Sequence, residues 1–194
     1  MLRWRIWSSG LRVTRAVSDP HSAALAARVR EAALLEGDFV LSSGKKSSFY
    51  VDKYLFSTEP DLLRDLAQEI SARLPAGARR LAGVELGAVP LVAAVALHTG
   101  LPYGIVRKSA KEYGTANKIE GSPIEAGEGV ALIEDVVTTG MQVLRAAEVL
   151  EEAGAEVLGI VAVLDRRDEA ASRLRGYTFE ALLRMEDLGV TTGD

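Results

Sequence analysis

The sequence predicts an α/β fold in which helices flank a central, mostly parallel β-sheet. Short apolar runs typical of buried strands alternate along the chain with segments of helical spacing, and strands joined by helices pair in parallel through right-handed crossovers. The chain has 194 residues, of which 48% are hydrophobic and 26% are charged. This length and composition suit one domain with a sizeable core and exclude a disordered chain.

The predicted helices have apolar residues three or four positions apart and recognisable ends. They cover residues 22–36, 60–74, 90–99 and 141–153. Gly37 is expected to end the first helix, and Thr58 to cap the second, which starts near Pro60. The predicted strands are short apolar runs at residues 39–41, 49–51, 81–85, 103–106, 130–133 and 157–164.

Residues 1–18 differ from the rest of the chain because they contain four arginines and no acidic residue. This composition is shared by mitochondrial transit peptides. Their poor apolar periodicity favours a disordered extension, or translated sequence upstream of the real start. Residues 19–194 are expected to form a single domain.

Charge and composition narrow the class of protein. The net charge of −4 argues against a general nucleic-acid binder, and no apolar run reaches the length that spans a bilayer. The absence of cysteine excludes disulfides and thiolate metal sites. We therefore expect a soluble cytoplasmic protein with no nucleic-acid or membrane partner.

The most informative segment begins with the predicted strand at residues 130–133 and continues into the next helix. Glu134 and Asp135 stand at the carboxyl end of the strand, and a turn with two threonines and Gly140 leads into the helix. Backbone N–H groups of such a turn can hold a phosphate, and two adjacent carboxylates can accept hydrogen bonds from vicinal sugar hydroxyls. An acidic pair alone is equally typical of loops without chemistry, so the prediction rests on the whole pattern.

A second informative segment, residues 107–122, lies between two predicted strands but lacks the apolar face of a helix. Its cations are Arg107, Lys108, Lys111 and Lys118. Loops of this length are usually lids, binding loops or solvated insertions. Beside a sugar-phosphate site, the cations of a mobile loop are suited to cover a pyrophosphate group.

Together these motifs resemble the type I phosphoribosyltransferases, and among them the orotate phosphoribosyltransferases. The resemblance extends from residue 21 to about 185 and rests on five segments in the family's order: residues 41–52, 83–90, 106–121, 130–142 and 164–166. It implies the type I phosphoribosyltransferase fold, with a hood at about 19–58, a core at about 59–185 and a lid at 107–122.

The resemblance also implies roles for individual residues. Binding of phosphoribosyl pyrophosphate is assigned to Arg107, Lys108, Lys111, Glu134, Asp135, Val136, Val137, Thr138, Thr139, Gly140, Met141 and Gln142. The pyrophosphate loop comprises Glu85, Leu86 and Gly87. Binding of orotate is assigned to Ser43, Gly44, Lys45, Thr138 and Arg166. Lys111 and Asp135 are the expected catalytic residues.

The activity implied by the resemblance is transfer of a 5-phosphoribosyl group from phosphoribosyl pyrophosphate to orotate. The products are orotidine 5′-monophosphate and pyrophosphate, on the route to UMP. The resemblance further implies Mg²⁺, for which no direct protein ligand is assigned, and a homodimer whose Arg107 and Lys111 reach the neighbouring site.

The sequence departs from the family pattern at some positions. Tyr113 stands where many members have a lid histidine, and Gly87 where some have a pyrophosphate-binding lysine. Two alternative functions stay open: a purine or uracil phosphoribosyltransferase, and a regulator that senses phosphoribosyl pyrophosphate and binds nucleic acid. Asp165 is expected to cap the segment after its strand.

Overall fold

A computed structural model describes residues 20–40, 44, 46–108, 118–167 and 173–190. The strands are β1 Leu34–Val40, β2 Lys46–Val51, β3 Arg80–Val84, β4 Tyr103–Val106, β5 Ile119–Glu120, β6 Gly129–Val137, β7 Glu156–Asp165, β8 Arg173–Leu174 and β9 Tyr177–Arg184. The helices are α1 Pro20–Ala33, α2 Lys53–Thr58, α3 Pro60–Ser71, α4 Ala88–Thr99 and α5 Met141–Glu152, with a 3₁₀ helix at Met185–Leu188.

The described strands form a seven-stranded sheet in the order β5-β4-β3-β6-β7-β9-β8 and a separate antiparallel pair, β1-β2. The five inner strands of the large sheet run parallel, and only the two-residue edge strands β5 and β8 run antiparallel. The predicted fold class, a mostly parallel sheet flanked by helices, is confirmed.

Strand β6 lies at the centre of this sheet and is buried on both faces. Val130 and Leu132 belong to the core formed with α5, whereas Ala131 and Ile133 belong to the core formed with α1, α3 and α4. A strand covered on both faces has no polar side to alternate with its apolar side. For this reason the sequence shows it as a continuous apolar run.

The first helix is shorter at its carboxyl end than predicted. It ends at Ala33 instead of residue 36, and the chain enters β1 directly at Leu34. Residues 34–36 pair with residues 49–51 of β2. Pairing with a distant strand outweighs the local helical pattern here, as tertiary context commonly does.

The helix predicted from Pro60 is present as α3, but its cap was assigned to the wrong residue. Glu59 is the N-cap, and its carboxylate accepts hydrogen bonds from the N–H groups of Asp61 and Leu62 at 3.3 and 2.6 Å. Thr58 instead ends α2, a short helix that the sequence did not predict, and its hydroxyl donates to the carbonyl oxygen of Tyr54 at 2.6 Å.

Strand β9, which the sequence did not predict, extends the sheet beyond β7. At the opposite side, β5 pairs with β4, so the two ends of the predicted lid lie next to each other. Predictions for residues 1–18, Ser43, Lys45, Lys111 and Tyr113 lie outside the described residues. No helix in the described ranges is long and apolar enough to cross a membrane.

Candidate functional site

The acidic pair lies within β6 and not after it, which corrects the predicted strand end at residue 133. Glu134 pairs with Ala162 of β7, and the ladder continues to Val137. Both carboxyl groups are buried: Glu134 is 6% exposed and Asp135 1%. A strand holds its side chains more rigidly than a loop, so these carboxylates are fixed in place before any ligand arrives.

Asp135 is held by three contacts from different parts of the chain. Its Oδ2 atom lies 2.7 Å from Nζ of Lys53, the first residue of α2. Its Oδ1 atom accepts a hydrogen bond from the N–H of Val136 at 2.6 Å. The backbone of Gly87 packs against it, since a Cβ atom added at Gly87 would overlap Oδ2.

Glu134 has a different environment from its neighbour. Oε1 accepts a hydrogen bond from the N–H of Asp135 at 3.1 Å, while Oε2 is buried with no hydrogen-bond partner in the described part of the chain. Burial, reinforced by the adjacent Asp135 carboxylate, raises the pKa of Glu134 well above its ordinary value. A buried oxygen of this kind is available to a ligand hydroxyl.

Lys53 remains a cation in this setting. Burial by itself lowers the pKa of the Lys53 ammonium, but the hydrogen bond to Asp135 and the charges of Asp135 and Glu134 outweigh that effect. The resulting pKa is raised above the ordinary lysine value. Two buried carboxylates are thus accompanied by one partly buried positive charge.

The turn after β6 forms a small cavity of about 50 Å³ in front of helix α5. Its lining comprises Glu134, Val136, Val137, Thr138, Thr139, Gly140, Met141, Gln142 and Val143. Gly140 adopts a φ of +76°, which favours glycine, and its backbone lies against the side chain of Leu174. The first N–H groups of α5 have no partners within the helix, as an anion site requires.

The predicted pyrophosphate loop connects β3 to α4. The peptide bond between Glu85 and Leu86 is cis. Glu85 Oε1 accepts a hydrogen bond from the N–H of Lys108 at 2.6 Å, which ties this loop to the base of the predicted lid. Leu86 is exposed, and Gly87 is buried against Asp135.

The base of the lid is fixed at both ends. The Arg107 N–H donates to the carbonyl oxygen of Lys118 at 2.8 Å, and the Arg107 guanidinium lies 3.6 Å from the Glu120 carboxylate. Arg107 and Lys108 line a groove of about 230 Å³ together with Arg145 of α5. The structure therefore brings cations of the lid base close to α5, the helix that follows the predicted phosphate-binding turn.

Arg166 lies where β7 ends beside β6, and its N–H donates to the Val137 carbonyl oxygen at 2.8 Å. Burial lowers the pKa of its guanidinium below the ordinary value, and a smaller electrostatic effect of Tyr50 in β2 opposes this shift. Arg166 is partly buried at the carboxyl end of β7, and its assignment to orotate stays a prediction. Gly44, exposed and with a φ of +79°, is the part of the assigned hood loop that the structure describes.

The cap predicted for Asp165 is confirmed. Its carboxylate accepts a hydrogen bond from the Arg167 N–H at 3.1 Å and pairs with both ends of the Arg167 guanidinium at 2.9 Å. Arg167 also stacks over the ring of Phe179, with 4.3 Å from its central carbon to the ring centroid. Asp165 and Arg167 therefore stabilise the strand end, and the Arg167 guanidinium is paired there.

The sequence analysis included Tyr50 only as part of the hood motif and did not find the contact of Lys53 with the acidic pair. Lys53 follows the hood turn in the chain, but neither its spacing nor its residue type indicates contact with β6. One weak signal is a lysine at the amino end of a helix, where the helix dipole disfavours positive charge. Such a placement indicates that a nearby anion compensates, and here that anion is Asp135.

No group of three or more metal-ligating side chains occurs among the residues that the structure describes. The oxygen donors at the end of β6 are carboxylates, backbone carbonyls and hydroxyls. This donor set suits Mg²⁺ bound largely through the phosphate oxygens of a substrate and not through a protein cage.

Comparison with known proteins agrees with this geometry. The family profile described as "Phosphoribosyl transferase domain" matches residues 58–179. The orotate phosphoribosyltransferase of Natronomonas pharaonis is 49% identical over 154 residues, which cover 78% of this chain and 87% of that protein. That of Thermococcus gammatolerans is 47% identical over 161 residues, covering 80% and 85%.

A solved structure gives the same result. A crystal structure of orotate phosphoribosyltransferase from Mycobacterium tuberculosis superposes with a TM-score of 0.75 and 32% identity. The match covers 88% of this chain and all of that chain. The resemblance inferred from the motifs is confirmed by both kinds of comparison.

Proposed function

The chain belongs to the phosphoribosyl transferase family and, within it, to the orotate phosphoribosyltransferases, and on that premise we propose how its site works. The proposed reaction joins the 5-phosphoribosyl group of phosphoribosyl pyrophosphate to orotate in UMP synthesis. The observation that carries the proposal is the buried acidic pair of β6 next to the cavity of the following turn. This pairing of acceptors with N–H donors suits a ribose 5-phosphate.

In this proposal the two carboxylates bind the ribose. Glu134 Oε2 and the Asp135 carboxylate accept hydrogen bonds from the 2- and 3-hydroxyls, and hydrogen bonds to a charged group contribute about 1.5–3 kcal/mol each. The 5-phosphate lies in the cavity formed by residues 136–142. There the backbone N–H groups of the turn, the threonine hydroxyls and the amino end of α5 stabilise its charge.

The leaving pyrophosphate is proposed to lie between the loop at Glu85–Gly87 and the lid. Negative charge grows on this group as its bond to C1 breaks, and cations held in place beforehand stabilise the transition state most. Arg107 and Lys108 stand at the lid base, and Lys111 is the proposed catalytic cation on the lid itself. Closure of the lid would exclude water, which competes with orotate for the activated sugar.

Orotate is proposed to bind between the hood and the end of β7. The Arg166 guanidinium can bind its carboxylate in a bidentate pair. Ser43, Gly44, Lys45 and Thr138 are proposed to surround the ring. In this position the ring nitrogen N1 faces C1 of the ribose and bonds to it as the bond from C1 to pyrophosphate breaks. The N1 proton passes to the departing pyrophosphate or to solvent.

Three finer points belong to the same proposal. Mg²⁺, when bound with the substrate, neutralises pyrophosphate charge, and no direct protein ligand is assigned to it. The enzyme is proposed to act as a homodimer in which Arg107 and Lys111 reach the neighbouring site. It is proposed to act in the cytoplasm.

The test is turnover of orotate with phosphoribosyl pyrophosphate and Mg²⁺, followed by absorbance, with uracil, adenine, guanine and hypoxanthine as competing bases. Turnover of orotate alone is expected. Preferred use of a purine or of uracil would contradict the orotate assignment while keeping the ribose-phosphate site. An electrophoretic shift assay with nucleic acid at low salt tests the alternative of a nucleic-acid-binding regulator. No shift is expected.

A further inference from the structure

A partly buried ion pair joins the N-terminal part of the chain to the acidic pair of β6. One residue, Asp52, separates Lys53 from the end of β2. The Asp52 carboxylate caps α2 by accepting a hydrogen bond from the N–H of Tyr54 at 3.0 Å. The Lys53 ammonium lies 2.7 Å from Asp135 Oδ2. The side chain of Lys53 is 30% exposed and that of Asp135 2%.

Gly87 shows that this pair is closely enclosed. A Cβ atom at position 87 would overlap Asp135 Oδ2 and lie 3.1 Å from Lys53 Cε. The φ of Gly87 is −69°, an angle open to any residue, so space and not backbone conformation requires glycine here. Three separate segments, α2, the loop before α4 and β6, therefore meet at the Asp135 carboxylate.

The charges explain why the contact matters. Asp135 and Glu134 are adjacent buried acids. Among the described residues, the cation that forms an ion pair with this acidic pair is Lys53, through Asp135. Removing one partner of a buried pair leaves an uncompensated charge, which favours a different position or protonation of the remaining group. An acceptor for a sugar hydroxyl must keep both its charge and its place.

We propose that Lys53 is a positioning residue of the phosphoribosyl pyrophosphate site, which holds the Asp135 carboxylate in the place where it accepts a ribose hydroxyl. This inference rests on the proposed function. Lys53 acts through Asp135, and its location directly after β2 ties that acceptor to the hood. Gly87 keeps open the space that the pair occupies.

The first test compares Lys53→Met, which removes the charge at similar length, with Lys53→Arg, which keeps it. The affinity for phosphoribosyl pyrophosphate is measured by calorimetry without orotate, at a temperature where circular dichroism shows each variant folded. In Lys53→Met the Kd should rise by at least about tenfold, because small misplacements of positioning groups have effects of up to about a hundredfold. Lys53→Arg should recover part of that loss.

Arg64→Met is the matched control, since Arg64 is an exposed cation on α3 that pairs with Asp61 at 2.6 Å. It should leave the Kd unchanged. A folded Lys53→Met variant with the parent Kd and the parent KM for phosphoribosyl pyrophosphate would overturn the positioning role. Failure of the parent protein to bind phosphoribosyl pyrophosphate would contradict the proposed function instead.

A double variant covers the case in which Lys53→Met alone does not fold. Lys53→Met with Asp135→Asn leaves no unpaired charge at this contact, and it is compared with Asp135→Asn alone. Because Lys53 acts through Asp135, the two Kd values should agree within about twofold, as coupled residues behave in a double-mutant cycle. A further loss of about tenfold in the double variant would show an independent role for Lys53 and overturn the assignment.

Discussion

The ribose-phosphate half of the candidate site comes from one unbroken segment, whereas the other half is assembled from four. Residues 134–142 supply both carboxylates, the turn and the first residues of α5. The pyrophosphate and orotate half combines the β2–α2 junction, the loop at residues 85–87, the lid base and Arg166. The first half is rigid because a central strand and a helix carry it, and the second depends on contacts between distant segments.

The contact between Lys53 and Asp135 joins these two halves. On the proposed role of Lys53, a change in the hood should therefore reach the ribose acceptor through this contact. Apart from Thr138, which is also proposed to contact orotate, substitutions in the unbroken segment should therefore mainly affect binding of phosphoribosyl pyrophosphate. Substitutions in the assembled half should have three kinds of effect. Some should lower the rate, some should weaken orotate binding, and some should weaken sugar binding indirectly by moving Asp135.

The largest expected effect comes from removing both acids of the unbroken segment. Glu134→Gln with Asp135→Asn should weaken binding of phosphoribosyl pyrophosphate by about 3–6 kcal/mol, because two charge-assisted hydrogen bonds are lost. Calorimetry measures the change. Glu151→Gln with Glu152→Gln, at adjacent exposed acids on α5, is the matched control. Unchanged binding in the first variant would make the acidic pair structural.

The lid should affect the rate more than binding. Lys111→Ala is expected to lower kcat by about 10²–10³, the usual cost of losing one donor where charge develops. Lys111→Arg, which keeps the charge, should retain more of the rate. Steady-state and single-turnover kinetics check this prediction. Near-parent turnover in Lys111→Ala would remove Lys111 from the mechanism and leave Lys108 as the candidate.

Arg166 should affect orotate alone. Arg166→Ala removes the proposed partner of the orotate carboxylate, so KM for orotate should rise by roughly 10²-fold while the Kd for phosphoribosyl pyrophosphate stays within a factor of a few. Arg167 is a useful contrast: it pairs with Asp165, so Arg167→Ala should lower Tm instead. An unchanged KM for orotate in Arg166→Ala would transfer orotate selectivity to the hood loop.

A smaller effect is expected where the assembled half contacts the unbroken one. Gly87→Ala places a methyl group in the space of Asp135 Oδ2 and Lys53 Cε, so the pair must shift. We expect weaker binding of phosphoribosyl pyrophosphate by about tenfold, since overpacking typically costs about 1–3 kcal/mol. If this variant binds with the parent affinity and keeps the parent Tm, the three segments are not as closely packed as described.

The smallest effect concerns stability and its dependence on pH. Below the ordinary pKa of 4.5, Glu134 is protonated in both the folded and the unfolded chain. The stability that the protein has with a neutral Glu134 is then fully present. As the pH rises above 4.5, the unfolded chain ionises first, because the folded pKa is raised, and stability is lost. The Tm of Glu134→Gln relative to the parent should therefore increase between about pH 4 and about pH 8.

Thermal unfolding followed by circular dichroism over this pH range tests the prediction. Glu31→Gln, at an exposed acid on α1, is the matched control, and its Tm difference from the parent should not grow with pH. A Tm difference for Glu134→Gln that stays constant or shrinks as the pH rises would show that burial does not raise the pKa of Glu134.

The amino-acid sequence determined the features that depend on neighbours along the chain. The apolar run of β6, the turn before α5, the start of α3 at Pro60 and the strand β4 were all predictable from local patterns. The acidic pair and the turn that is proposed to bind phosphate could be located for the same reason. Residues 134–142 are contiguous, so their order in the sequence is already their arrangement at the site.

The tertiary structure decided what depends on residues far apart. Pairing with β2 makes residues 34–36 a strand and not a helix, and pairing of β6 with β7 extends β6 through the acidic pair. Lys53 and Asp135 are 82 residues apart in the sequence but in contact in the structure. No local sequence pattern encodes that contact. Such contacts arise only when helices and strands pack, because the packing brings distant side chains within a few ångströms and removes the water that would separate their charges.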